Sequence, residues 1–304
     1  MKLSKTGAFS FLFLASIYLF GCDSLRQEVD PDRLNREAAK LVVTCFLSPQ
    51  DTVLAVKVTR SQPVLGENTG FSTTGINVPD ATVRLSEGER TVMLAYNATL
   101  SFYGAGVQQL PVVAGRTYVL TVQTPAGEQA IGSCTIPGLV QPIGIAFDSL
   151  TNNQFGRQVK RYFVRARWLD PAGQANYYQT TGAYRFVVRD PKALGKEQFG
   201  YLSVDNSNNG LLTDRNTDGR EMVSERLFMN SVYYGNNSQN EITSVLINLL
   251  NTDQAYYQYQ DAVARQSQVL GNPFAEPVPI PSNIQGALGC FGAYNRSTLM
   301  VKLK

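Results

Sequence analysis

The stretch "DRNTDGREMVSE", residues 214–225, carries Asp, Asn, Asp, Gly and Glu at positions one, three, five, six and twelve. That is the ligand order of a twelve-residue calcium loop, in which hard oxygen donors surround the ion and the glycine makes the sharp turn. On this reading Asp214, Asn216, Asp218 and Glu225 supply side-chain oxygens, Arg220 a carbonyl, and Gly219 the turn. The flanks favour a plain polar turn. "SVDNSNNGLL" reads as a loop and "EMVSERLFM" as a strand, not as the paired helices that usually hold such a loop. In an extended strand Glu225 would stand about 20 Å from Gly219, too far to close a cage. Asp-Gly and Asn-rich turns are also frequent in β proteins. Calcium is thus one reading of the motif, and a turn without any cofactor is the other.

The remaining chemistry is sparse. The chain has no histidine, which excludes Ser-His-Asp and Cys-His catalysis and His-ligated zinc. Paired carboxylates stay available to a hydrolase, but no spacing singles out a pair. Tyrosine doublets recur at Tyr177-Tyr178, Tyr233-Tyr234 and Tyr256-Tyr257. A doublet in a strand sends one ring to each face, so some rings should be exposed. Phe199, Tyr201, Tyr233 and Tyr234 flank the longest polar region and form the predicted aromatic contact surface for a ligand or partner. In "VKRYFVRARWLD", Tyr162, Val164, Ala166 and Trp168 share one face, and Arg161, Arg165 and Arg167 the other. The arginine stripe reads as a solvated or salt-bridged face, with anion binding as the alternative.

These residues must be positioned by β structure. From Leu41 the chain runs as short alternating segments cut by turn residues, with hairpin signals at Glu87-Gly88-Glu89 and Pro125-Ala126-Gly127. About seven strands in a hundred residues read as an immunoglobulin- or fibronectin-like β-sandwich over 40–138. Gly115-Arg116-Thr117-Tyr118 resembles a tyrosine corner of such folds. A second β-rich domain is expected over 139–304, in which Asp170-Pro171-Ala172-Gly173 would turn "VKRYFVRARWLD" back onto "NYYQTTGAYRFVV" as a hairpin. It contains one helix, "TDQAYYQYQDAVARQSQ", capped by Asn251 or Thr252, with an inward stripe of Ala255, Tyr259, Ala262, Val263 and Gln266. "NPFAEPVPIPSNIQGALGCFGAYN" then reads as a long irregular Pro/Gly segment and "STLMVKLK" as a closing strand. The predicted fold class is mainly β: two sandwich-like domains in series.

The N-terminus addresses the chain. "MKLSKTGAFSFLFLASIYLFGC" has a basic start, an apolar stretch and Gly21-Cys22. Residues 1–21 read as a lipoprotein signal peptide with Cys22 as the lipidated residue, and 22–39 as a polar tether. Acidic residues after Cys22 are similar to surface-export signals, and the cell surface and the periplasmic face both stay open. Without Lys2 and Lys5 the chain has 25 basic against 24 acidic residues, which argues against a nucleic-acid footprint. Cys45 and Cys134 fall in the first and last strands of the first domain, so a bridge between them and buried free thiols are both open.

The text "NPFAEP", then "SNIQGALGCFGAYN" after a tyrosine-rich helix, resembles the C-terminal signature of Bacteroidota lipoproteins of domain-of-unknown-function family 4249. "VVTCFL", "VPDATVRL", "AGRTYVLTV" and "CTIP" agree in order. The resemblance implies a lipid-anchored outer-membrane protein, often paired with a TonB-dependent β-barrel receptor in nutrient import, and implies no enzymatic activity. The expectation is an accessory or ligand-binding partner of such an importer. The alternatives are a stand-alone glycan or peptide binder, or adhesin, and a carboxylate-dependent hydrolase.

Overall fold

A computed structural model describes residues 39–62, 76–154, 156–188, 196–205, 208–229, 240–269, 275–276 and 278–303. The first seven strands are β1 (Leu41–Leu47), β2 (Val53–Arg60), β3 (Thr82–Glu87), β4 (Arg90–Asn97), β5 (Phe102–Gly106), β6 (Thr117–Gln123) and β7 (Gln129–Thr135). They form because apolar residues alternate: Val43, Cys45 and Leu47 point inward with Leu54, Val56 and Val58, and meet Tyr118, Leu120 and Val122 across the core. Arg90–Leu94 of β4 pair with β3, and Ala95–Asn97 pair with β5, so one strand carries the sheet around the corner of the sandwich. Both expected hairpins form, with Gly88 and Gly127 at positive φ. The Tyr118 hydroxyl donates to the Pro111 carbonyl at 2.7 Å and accepts the Val113 N–H at 2.9 Å, tying the start of β6 to the incoming chain. Cys45, Cys134 and Cys290 are all buried free thiols, each pushed up in pKa first by burial. The Cys45–Cys134 bridge does not form.

The second core lies between two sheets. One contains β8 (Pro142–Gln154), β9 (Arg157–Leu169) and the short strands noted below; the other is led by β10 (Tyr177–Val188). Further along are β11 (Glu197–Tyr201), β12 (Ser203–Val204), β13 (Leu211–Thr213), β14 (Glu221–Val223), β15 (Leu227–Phe228) and β16 (Asn240–Thr252). Helix α1 (Gln254–Val269) and β17 (Leu288–Lys302) close the chain. Strands β12, β15 and β14 join β9, while β11, β16 and β13 join β10. The expected β9–β10 hairpin is therefore corrected: the two strands face each other across the core. Trp168 and Tyr178, from their inward faces, meet edge to face with centroids 5.2 Å apart, and burying both rings requires facing sheets. Tyr162 is also corrected. It is exposed, while Val164, Ala166 and Trp168 are buried.

The expected irregular segment is strand in its second half. Leu288–Ala293 of β17 pair parallel with β1, and Tyr294–Lys302 pair antiparallel with β16. One strand thus belongs to both halves, and Ile284, Phe291 and Ala293 complete the first core. Gly289 makes this register fit. It sits at φ +114, and a Cβ there would stand 1.9 Å from the Val43 carbonyl oxygen. Gly292 lets α1 lie on the strand, since its Cβ would meet the Tyr256 backbone Cα at 3.0 Å.

The helix cap is Asp253, not Asn251 or Thr252, which remain in β16. Asp253 Oδ1 accepts the Tyr256 N–H at 2.7 Å and Oδ2 the Ala293 N–H at 3.0 Å, so one carboxylate fastens α1 to β17. The buried helix residues are Tyr256, Ala262 and Ala264, a stripe offset from the expected one.

Two outcomes follow. Gly289→Ala must either strain the backbone or break the β1 pairing; we expect a loss of several kcal/mol, more than the ordinary Gly-to-Ala range, read as failure to reach a cooperative thermal transition. Burial pushes Asp253 up to about 6 from 3.8, against the pull of its two amide donors. A raised folded-state pKa means that its contribution to stability is present in full below pH 3.8 and is lost as pH rises through about 6. Asp253→Asn keeps one acceptor and loses the other, so it is less stable in acid. Its deficit in melting temperature relative to the native chain should shrink as pH rises across that window.

Candidate functional site

On β10 the odd residues Thr181, Ala183 and Arg185 face the same side as Gln179, which accepts the Tyr256 hydroxyl of α1 at 2.7 Å. Strand register extends this row across the sheet. Tyr201, Ala183, Leu246 and Met300 are successive cross-strand partners, and Phe199, Arg185, Ser244 and Lys302 form the next row. Helix α1 covers one end of this sheet face. Beyond it, the rows enclose a groove of about 360 Å³. The small residues Ala183 and Ser244 form its floor. Phe199 and Tyr201, on the edge strand β11, make one wall, and Met300 part of the other.

The wall residues are unusually open: Phe199 is 55%, Tyr201 76% and Met300 55% exposed. The two rings meet edge to face, centroids 4.8 Å apart, which fixes their mutual orientation. At the Phe199 end Arg185 pairs with Glu197 at 2.9 Å, and the Thr243 hydroxyl donates to the same carboxylate at 2.7 Å. Thr243 and then Arg185 hold Glu197 below the ordinary carboxylate range. The groove is thus apolar in its middle, aromatic along one edge and polar at one end. Such a surface can stack on a sugar ring or clasp apolar side chains, and the outer backbone of β11 is a free sheet edge among the described strands. Sequence reasoning placed Phe199 and Tyr201 on a contact surface but missed Ala183, Leu246 and Met300. The alternation in "EITSVLINLL" would have put Leu246 on one face; only the pairing puts it in one cross-strand row with Tyr201. Tyr233, Tyr234 and Cys22 lie outside the described residues.

The calcium-loop residues are regrouped. Asp214 and Asp218 converge with Asp170, ligand oxygens all within 4.8 Å of one another. Asp170 was not foreseen, because it arrives from the end of β9. Glu225 is corrected: it lies past β14, outside this group, as the extended chain between requires. Asn216 is exposed in the turn. Each acid of the group accepts hydrogen bonds that join two turns. Asp214 takes the Asn176 N–H at 2.8 Å and Asp218 the Gly173 N–H at 2.9 Å. Asp170 takes the Gly219 N–H at 2.9 Å and the Tyr178 hydroxyl at 2.5 Å. Burial, and then this bond, push Tyr178 far up in pKa, so it stays a donor. Among the described residues these three are the acids grouped closely enough to hold a cation, and their protein donors already account for the convergence.

One family model, described as Domain of unknown function (DUF4249), matches residues 25–299. The chain belongs to this family. No curated protein matches it. In this DUF4249 chain the stretch "SNIQGALGCFGAYN" is a seal. The Asn283 side chain donates to the Phe291 carbonyl at 2.7 Å and accepts the Phe291 N–H at 2.9 Å, clamping the turn to β17. Gln285 bridges to Ile131 of β7, and Ile284 and Phe291 are buried in the first core, whereas Leu288 is exposed. The family-like motif therefore builds the fold, and the exposed groove lies on the strands beside it.

Asp214→Ala should test the turn reading: the buried Asn176 amide loses its acceptor, at a cost of about 1–3 kcal/mol. Denaturant unfolding at pH 7 measures it, and Asp214→Asn, which keeps an oxygen, should lose less.

Proposed function

We propose that this DUF4249 chain is a non-enzymatic, lipid-anchored outer-membrane protein that serves a TonB-dependent nutrient importer as an accessory or ligand-binding partner. The signal-like N-terminus with Cys22 supports the anchor, and the lack of histidine is in keeping with binding rather than catalysis. The observation that carries the contact surface is the groove beside Phe199 and Tyr201. Exposed aromatic side chains flanking a small-residue floor are costly to leave in water and are characteristic of binding patches. The volume falls in the range of roughly 300–1,000 Å³ usual for small-ligand clefts, and the free β11 edge suits an extended peptide of the receptor.

A stand-alone glycan or peptide binder would use the same groove. The two readings part in one experiment. The native lipoprotein, pulled from gently solubilised outer membranes, should bring down a β-barrel receptor. The double variant Phe199→Ala/Tyr201→Ala should capture at least about tenfold less, the loss of one or two aromatic contacts of about 1.4 kcal/mol or more in total. Recovery of the chain with no barrel, together with Tyr201-dependent binding of a soluble oligosaccharide or peptide, would move the assignment to the stand-alone binder.

A further inference from the structure

The outward face of the β9 sheet carries different chemistry from the groove and owes nothing to it. Phe163 and Phe228 are direct cross-strand partners there, centroids 5.5 Å apart. Both are buried, at 5% and 1% exposure, although they point away from the core. Three guanidiniums lie over them. Arg161 stacks 3.8 Å from the Phe228 centroid, and Arg226 and Arg165 stand 5.4 and 5.8 Å from the Phe163 centroid. A guanidinium lying on a ring has its flat faces occupied and keeps its N–H edge for an acceptor.

Among the described residues the acids nearby are fewer than the cations. Asp205 serves two arginines, Arg161 at 3.5 Å and Arg226 at 3.7 Å. Asp148, the cross-strand partner of Phe163 on β8, turns back to accept the Ser149 N–H at 2.7 Å. Arg167, the third of the stripe, is paired with Glu221 at 3.2 Å. Arg165 has no acidic partner among the described residues. The Nε atoms of Arg165 and Arg226 are both buried and lack an acceptor. A buried donor without an acceptor costs about 1–3 kcal/mol, and packing three like charges around two rings adds repulsion. An anion within reach of these N–H edges would relieve both penalties.

We propose that Arg161, Arg165 and Arg226 form an oxyanion site of phosphate class. Three guanidiniums offer more N–H donors than a planar carboxylate can accept, whereas a phosphate presents oxygens in three dimensions. Inorganic phosphate and the phosphate of a lipid headgroup share this chemistry.

The test is calorimetric titration of the full chain, in a neutral sugar detergent at low ionic strength, with inorganic phosphate, short-chain phosphatidylglycerol and acetate in turn. We expect saturable binding of at least one phosphate probe, weakened tenfold or more by Arg165→Gln and unchanged by Arg84→Gln, which removes the same charge from the exposed face of β3. Heat with inorganic phosphate identifies a free anion as ligand, and heat only with the lipid identifies a headgroup. If Arg165→Gln does not fold, Arg165→Lys keeps the charge but loses the fork, and it should still bind severalfold more weakly. No saturable heat with either phosphate probe, equal binding of acetate, or binding indifferent to Arg165 overturns the site.

Discussion

The two-way pairing of the last strand is the constraint on which the rest depends. Leu288–Ala293 lie parallel to β1 and Tyr294–Lys302 antiparallel to β16. Parallel strands cannot be joined by a short turn, so β1, already paired with β2 on one side, takes its other neighbour from the far end of the chain. Phe291 and Ala293 enter the first core from this strand, and its even-numbered residues make part of the outer face that carries both α1 and the groove. Gly289 permits the approach to Val43, Gly292 the approach of the helix, and Asp253 links the helix cap to the Ala293 amide. These are separate local devices that serve one register.

That register also explains why the exposed surfaces differ. Helix α1 covers the end of the sheet where β17 carries glycine and leaves bare the end where it carries Met300. The bare end becomes an apolar groove because Ala183 and Ser244 are short and Phe199 and Tyr201 are long. The outward face of the opposite sheet, led by β9, instead carries arginines over phenylalanines. A near-neutral net charge conceals this: among the described residues the acids lie mainly in turns and caps, and the arginines beside Phe163 outnumber the acids paired with them.

Much of the local structure was legible in the residues. Period-two alternation marked β1, β2 and β6, the glycine turns marked two hairpins, and the tyrosine at the start of β6 marked its tie to the incoming chain, because each depends on neighbours a few residues apart. The pairing of β9 was not legible. A turn at Asp170-Pro171-Ala172-Gly173 joins adjacent strands or facing sheets equally well, and the choice rests on burying Trp168 against Tyr178. The glycines of "QGALGCFG" looked like irregular chain for the same reason: a glycine strand is favoured only where another backbone presses against it. Glu225 completed a motif in sequence order, yet the third acid of the cluster, Asp170, comes from 44 positions before Asp214.

By itself the sequence determined that the chain is β-rich, that it resembles one family, that histidine chemistry is excluded, and that Phe199 and Tyr201 flank a long polar region. These are consequences of composition, period and short motifs. Only the tertiary structure decided which strand faces share a surface. It placed Leu246 and Met300 in one cross-strand row with Tyr201, set Arg226 over the ring that Arg165 also approaches, and gave the calcium-like loop a different third acid. Side chains meet through strand pairing and sheet packing, and those are fixed by the global burial of apolar surface, which no local spacing records.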